Sequence, residues 1–201
     1  MKSVIRSAKP YWIYLILTGK KKVEVGKNFP KSKDWNKVVE MYCSKDIRSF
    51  NRIPEKDREW MRKYLGKIAC RFVCDRIDTY HYGNMDYPIP AFDGDDSICE
   101  IGDGYYITSG ELEKTCLTYE ELEKYGKGAP LYGWHISDLV IYDKPHAISE
   151  FARPCDGCDK LGTSRCTEEI SPCRATILKR PPQSWQFVQS IMGGRLHFEE
   201  V

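Results

Sequence analysis

The spacing of apolar positions along this chain changes several times, and each change marks an element. Residues 2–6, "KSVIR", read as a short first strand. The run "YWIYLIL" at 11–17 is apolar nearly all round, which predicts a mostly buried helix. Ser7 is placed to cap that helix, Pro10 is tolerated in its first turn, and Gly19 supplies a left-handed stop. Strands are expected at 21–25 and 37–44, joined by the turn-rich loop "NFPKSKDWN". In "PEKDREWMRKYLG" a short helix sets Trp60, Met61, Tyr64 and Leu65 on one side and ends at Gly66. "KIACRFVCDRI" is a clear strand, followed by an irregular stretch from Tyr80 to Gly110 rich in Gly, Pro, Tyr and Asp.

Thr118 and Glu121 then have capping-box spacing for the helix "YEELEKYG". "YGWHISDLVIYDK" reads as one long strand and "AISEF" as a helical turn. "RPPQSWQFVQ" reads as an edge strand, because its two prolines cannot donate to a ladder. The order of strand, helix, several strands and late-closing strands gives an α+β domain around a small, barrel-like sheet. Residues 1–201 are expected to form one domain, with an irregular acidic insertion at 80–115 and a Cys-rich insertion at 153–178. No internal repeat and no low-complexity tail interrupts this order.

Charge changes the picture. The formal net charge is only +2, but residues 1–80 carry 20 Lys/Arg against 9 Asp/Glu, whereas residues 81–150 carry 4 against 14. That split implies a basic working face, or an acidic middle that folds over the basic part and neutralises it. The densest cationic knot is "GKKKVEVGK" at 19–27, where one carboxylate stands among four lysines. As a strand the run would set Lys22, Glu24 and Gly26 on one face and Lys21, Val23, Val25 and Lys27 on the other. No apolar stretch approaches the roughly 18 residues that span a bilayer. Nine cysteines, of which Cys43, Cys70, Cys74, Cys99 and Cys116 are scattered, suit a reducing cytoplasm better than a disulfide framework.

Three segments together, "KPYWIYLILTGKKKVEV", "GWHISDLVIYDKPHAISEF" and "LKRPPQSWQFVQ", resemble an ASCH domain of the PUA-like β-barrel superfamily. The first matches that family's apolar helix followed by Gly-x-Lys-x-x-Glu, here Gly19, Lys21 and Glu24. The other two are similar to a small bacterial and phage subgroup with a cysteine-containing insert. The resemblance implies a PUA-like barrel with a buried N-terminal helix, peripheral short helices, and a cleft beside that helix that receives RNA or a modified nucleotide. The family pattern continues Glu-x-Arg, and the expected Arg position is Gly26 here. Lys27 could supply the charge only from the opposite face of a strand.

The expected nucleic-acid-binding residues are therefore Lys20, Lys21, Lys22, Glu24 and Lys27, with phosphates neutralised by the cations. Trp12, Trp134 and Trp185 could offer stacking surfaces, although each sits in an apolar segment where core packing is the stronger expectation. A small hydrolase or nuclease acting in the same cleft is the alternative, with Lys21 and Glu24 as the acid–base candidates. The resemblance implies a Lys, a Thr and a Glu for hydrolysis of acetylated cytidine. Lys21 matches, but the Thr position falls on Glu24 and the strand Glu on Phe72 or Val73, so that particular reaction is not expected. A third reading makes the acidic segment 81–125 a contact for a basic protein partner, or a regulator that occludes the cleft.

"PCDGCDKLGTSRCTEEISPC" places Cys155, Cys158, Cys166 and Cys173 within nineteen residues. The opening C-x2-C, with Asp-Gly between, suits a structural zinc site, and His146 is a reserve ligand. "DGDD" at 93–96 lacks the Gly and terminal Glu of a calcium loop. There is no phosphate-cradling glycine loop and no dinucleotide fingerprint.

Overall fold

A computed structural model describes residues 2–31, 35–83, 104–153 and 177–190. In chain order the elements are β1 (Lys2–Ala8), α1 (Pro10–Leu17), β2 (Val23–Gly26), β3 (Trp35–Cys43), α2 (Ile47–Phe50), α3 (Glu55–Arg62), β4 (Ile68–Val73) and β5 (Ile77–Tyr80). Then follow β6 (Tyr82–Gly83), β7 (Gly104–Tyr105), α4 (Ser109–Thr115), α5 (Tyr119–Gly126), β8 (Leu131–His135), β9 (Ser137–His146), β10 (Phe151–Ala152) and β11 (Trp185–Ser190). No helix among the described residues is long and apolar enough to cross a membrane.

The α+β class holds, but the strands form two principal sheets, and no pairing among the described residues closes them into a barrel. One sheet has the order β10-β11-β1-β3-β4-β9, the other β2-β8-β5, and β6 with β7 makes a small ribbon. The expected long strand over "YGWHISDLVIYDK" is two strands in different sheets. The chain breaks at Ile136, and Asp138 lies in the left-handed region at φ 45°. An L-residue rarely adopts that conformation, and here it falls inside β9, where the β4–β9 ladder shifts register between Ser137 and Val140.

β1 and β3 run parallel, with α1 and β2 as the crossover, and β11 lies antiparallel on the other side of β1. β11 is thus an interior strand. The prolines precede it at 181 and 182, and β10 meets only its last two residues, Gln189 and Ser190. Ser7 remains within β1, where its Oγ donates to the Pro182 carbonyl, so it caps nothing; α1 starts at Pro10 with Lys9 as its N-cap. The capping box at Thr118 and Glu121 forms as expected.

Period-two alternation distributes the residues of the large sheet between two cores. Val4, Val39, Met41 and Phe72 face α1, whose Ile13, Ile16 and Leu17 pack onto them. Ile5, Tyr42, Ile68 and Val188 face the opposite layer with Phe151 and Leu178. On the α3 helix Met61 is buried whereas Trp60 is 40% exposed, so these neighbours do not share a face. Arg6 lies on the Val4 side of β1, which directs a guanidinium toward the main core. Glu40 lies on the Tyr42 side of β3, which places a carboxylate against the second.

Candidate functional site

The lysine knot does not behave as one charged face. Gly19, at φ 70°, ends α1 by donating to Ile16, and the backbone N–H groups of Lys20 and Lys21 both donate to the Leu15 carbonyl. This reversal keeps residues 20–22 out of the strand, which starts only at Val23. The Lys22 backbone is stitched on both sides: its N–H donates to the Lys114 carbonyl at 2.8 Å, and its carbonyl accepts from Ile136 at 2.9 Å. As a result Lys20 and Lys22 project into solvent while Lys21 points inward. Lys21 and Glu24, which strict alternation would put on opposite faces, meet.

Their meeting point is a buried cluster of three charges. The Glu24 carboxylate lies 3.6 Å from Lys21 Nζ through Oε2 and 3.5 Å from Arg6 Nη2 through Oε1. Lys21, Arg6 and Glu24 are only 2%, 3% and 7% exposed. Lys21 also donates to the Thr115 carbonyl at the end of α4, where the helix dipole favours a cation. Desolvation pulls the Lys21 ammonium below the ordinary lysine range, and the neighbouring Glu24 carboxylate opposes that shift. Arg6 Nη2 donates to the Val25 carbonyl at 2.8 Å. Two indoles flank the cluster: Arg6 lies 5.0 Å from the Trp134 centroid, and Lys21 Nζ 5.0 Å from that of Trp12. Trp134 is wholly buried, Trp12 is partly exposed at the margin of the core, and Trp185 packs edge-on against Phe187.

Arg6 was not among the residues singled out from sequence. It packs against Gly26, the position where the resemblance implies an arginine: a Cβ built on Gly26 would come within 2.7–2.8 Å of its guanidinium nitrogens. The bare Cα of Gly26 makes room for a cation delivered from β1. Lys27, the substitute expected from sequence, is exposed instead, with Nζ 5.0 Å from the Tyr125 ring centroid. The available signal was a charged residue in alternation register with the apolar Val4 and Ala8 of β1.

The positions where the resemblance implies a strand carboxylate are apolar in fact as well as in sequence. Phe72 is buried in the main core, and Val73 pairs with Ser137 in the β4–β9 ladder.

Two of the described acidic residues from the middle of the chain, Glu111 and Glu121, pair with basic side chains. Glu111 of α4 pairs with Arg76 at 3.4 Å and with Lys114 at 2.6 Å. Glu121 of α5 lies 3.6 Å from Arg52, whose guanidinium stacks 4.1 Å from Tyr11 and 5.1 Å from Trp12. Beside them, Asp78, Glu111 and His135 bring three potential metal-ligating atoms within 4.8 Å of one another. Arg76 contacts both Asp78 and His135, and with Lys114 it already balances the two carboxylates. This cluster serves as an electrostatic tie between α4 and the β5–β8 sheet. It was not anticipated, because its members come from three separate elements.

The cysteines proposed for zinc, Cys155, Cys158, Cys166 and Cys173, lie outside the described residues, as do Asp93–Asp96 and Cys99. His146 pairs with Glu150 at 2.8 Å. Cys43, Cys70, Cys74 and Cys116 are free thiols, and burial pushes Cys43 and Cys74 up to about 12.

No family model matches the chain, and no curated protein is similar to it. Among solved structures, the crystal structure of ASCH from Zymomonas mobilis is similar, with 14% identity over 92% of this chain and 87% of that one, at a TM-score of 0.43. A point mutant of the same protein aligns at 16% identity with the same coverage and TM-score.

Proposed function

We propose that this chain binds RNA or a modified nucleotide in the cleft beside Lys21 and Glu24. The observation that supports this most is the buried Arg6–Glu24–Lys21 cluster, which carries an excess positive charge between two indoles. Burying three ionised groups is expensive, and a purely apolar replacement would stabilise the fold as well or better. Such a cluster is therefore better explained by recognition than by folding. Exposed Lys20, Lys22 and Lys27 surround it and would contact phosphates, while the partly exposed Trp12 would take a base.

The test is titration of single-stranded RNA at several salt concentrations. Phosphate contacts give an affinity that falls steeply with salt, and replacing Lys20, Lys22 and Lys27 together by Ala should flatten that slope by roughly two units for about three lost contacts. Unchanged affinity and slope in the triple variant would overturn the proposal.

One observation favours a second reading, in which the cleft is that of a hydrolase or nuclease. Lys21 is desolvated and adjoins Glu24, which is how acid–base pairs are tuned. Incubation of RNA and acylated nucleosides with the wild type and Glu24→Gln, followed by mass analysis, separates the two. Product from the wild type alone would favour the enzyme.

A further inference from the structure

We propose that the exposed guanidinium of Arg52 is a base-stacking surface, receiving one unpaired nucleobase of a single-stranded RNA on the face turned away from Tyr11 and Trp12. This rests on the RNA-binding reading and adds how a base is held.

Arg52 follows α2 and lies across the start of α1. Its Cζ stands 4.1 Å from the Tyr11 ring centroid and 5.1 Å from that of Trp12. The two rings meet edge to face, with centroids 5.2 Å apart. Trp12 therefore has a buried cation, Lys21, and an exposed one, Arg52, over its ring. A base that approaches this indole from the side of Arg52 meets the guanidinium first. The Arg52 side chain is 49% exposed although one face lies against the rings, which leaves the opposite face to water. A guanidinium is planar, delocalised and weakly hydrated, and unpaired bases stack on it as they do on aromatic rings.

The plane is held from three elements. The Arg52 N–H donates to the Ser49 carbonyl, and Ser49 Oγ accepts from the Tyr11 N–H, so cation and ring share one buried anchor. At the edge of the plane, Nη2 lies 3.6 Å from Glu121 Oε1. Glu121 is held in turn, because its Oε2 accepts from the Thr118 N–H in the capping box of α5. An exposed ion pair adds little to stability, and ordering a long side chain costs entropy. Three elements thus orient a side chain that stays half in water, which suits a preorganised binding surface better than a folding contact. Glu121 already faces the charge, so this guanidinium offers a flat surface rather than a phosphate contact.

One face takes one base and reads none of its edges, so the site should accept any base and reject a chain without bases. The experiment titrates single-stranded oligouridylate and oligoadenylate, an abasic chain of the same length, and free adenosine into wild-type protein and Arg52→Lys. Affinity, its salt slope and the Arg52 Nε–H resonance are followed. Base-bearing chains should move that resonance upfield through the ring current of the stacked base, and the abasic chain should leave it in place. Arg52→Lys keeps the charge and loses the plane. It should weaken base-bearing chains by roughly fivefold to a hundredfold, with the salt slope and abasic binding unchanged. If Arg52→Lys does not fold, the wild-type resonance still decides.

Equal weakening of base-bearing and abasic chains in Arg52→Lys would assign Arg52 to phosphate and overturn the proposal. If RNA bound while the Arg52 resonance stayed unmoved, the proposal would fall and the RNA-binding reading would stand. If adenosine moved the resonance saturably but no oligonucleotide bound, the stacking site would stand and the RNA reading would fall. Absence of binding by every probe would overturn both.

Discussion

The guanidinium of Arg6 occupies the space that a side chain on residue 26 would need, with Nη2 2.7 Å and Nη1 2.8 Å from an ideal Cβ on Gly26. A residue from the first strand thus determines which residue is tolerated at the end of the second. The relationship makes a direct prediction. Gly26→Ala should destabilise the protein by about 1–3 kcal/mol, the usual cost of overpacking a filled site. Thermal denaturation of Gly26→Ala, Arg6→Gln and the double variant checks it. The double variant should lose less than the sum of the singles, because a shorter neutral side chain relieves the collision. Additive losses would mean that Arg6 is not what constrains Gly26.

The three lysines of the knot should separate by mutation. Lys21→Met leaves Glu24 in the core with Arg6 alone and removes the donor to the Thr115 carbonyl. Breaking a buried pair in this way costs about 3–5 kcal/mol. Lys20→Ala and Lys22→Ala touch exposed side chains and should leave the melting temperature nearly unchanged. Chemical denaturation of the three single variants measures the contrast. Equal stability across them would contradict the inward placement of Lys21.

Glu40 should make the fold less stable as pH rises. Burial raises its carboxyl from 4.5 to about 7, against the opposing Tyr142 hydrogen bond and the Arg71 charge. Between those values the native state binds the proton that the unfolded state has released. Stability therefore falls as pH climbs from roughly 4.5 and levels off above about 7. Glu40→Gln removes this dependence and keeps an acceptor for the Tyr142 hydroxyl. The variant should be more stable than wild type at pH 8, by on the order of 2–3 kcal/mol, and should converge with it near pH 4. Melting curves across that range would refute the assignment if the two proteins ran parallel.

Zinc should accompany the Cys-rich insertion. The spacing of Cys155, Cys158, Cys166 and Cys173 suits a closed tetrahedral site. Protein purified without chelator should contain about one zinc per chain by elemental analysis, and Cys155→Ser should contain less. The two described sheets have cores of their own, so chelation should leave their far-ultraviolet circular dichroism in place. Metal content that is zero, or identical in the variant, would remove zinc from the account.

The sequence by itself determined the local elements. The apolar run at 11–17 could only be a buried helix, Gly19 could take the left-handed stop, and Thr118 with Glu121 had the spacing of a capping box. These features depend on neighbours within a few residues, so propensity and periodicity reach them. It also marked Lys21 and Glu24, through a motif of local spacing.

Tertiary structure decided which charges became a site. Alternation assigned Lys21 and Glu24 to opposite faces, and the turn after Gly19, anchored by backbone bonds to Lys114 and Ile136, brought them together. Arg6 joined them because β1 and β2 lie in different sheets that pack around the same core, a long-range arrangement that no window of sequence contains. The same limit explains why β8 and β9, adjacent in the chain, enter different sheets, since their partners β2, β5 and β4 are distant in sequence. Burial is a property of the whole packed chain: it turned one lysine of three into a partner for a carboxylate and left the other two in water.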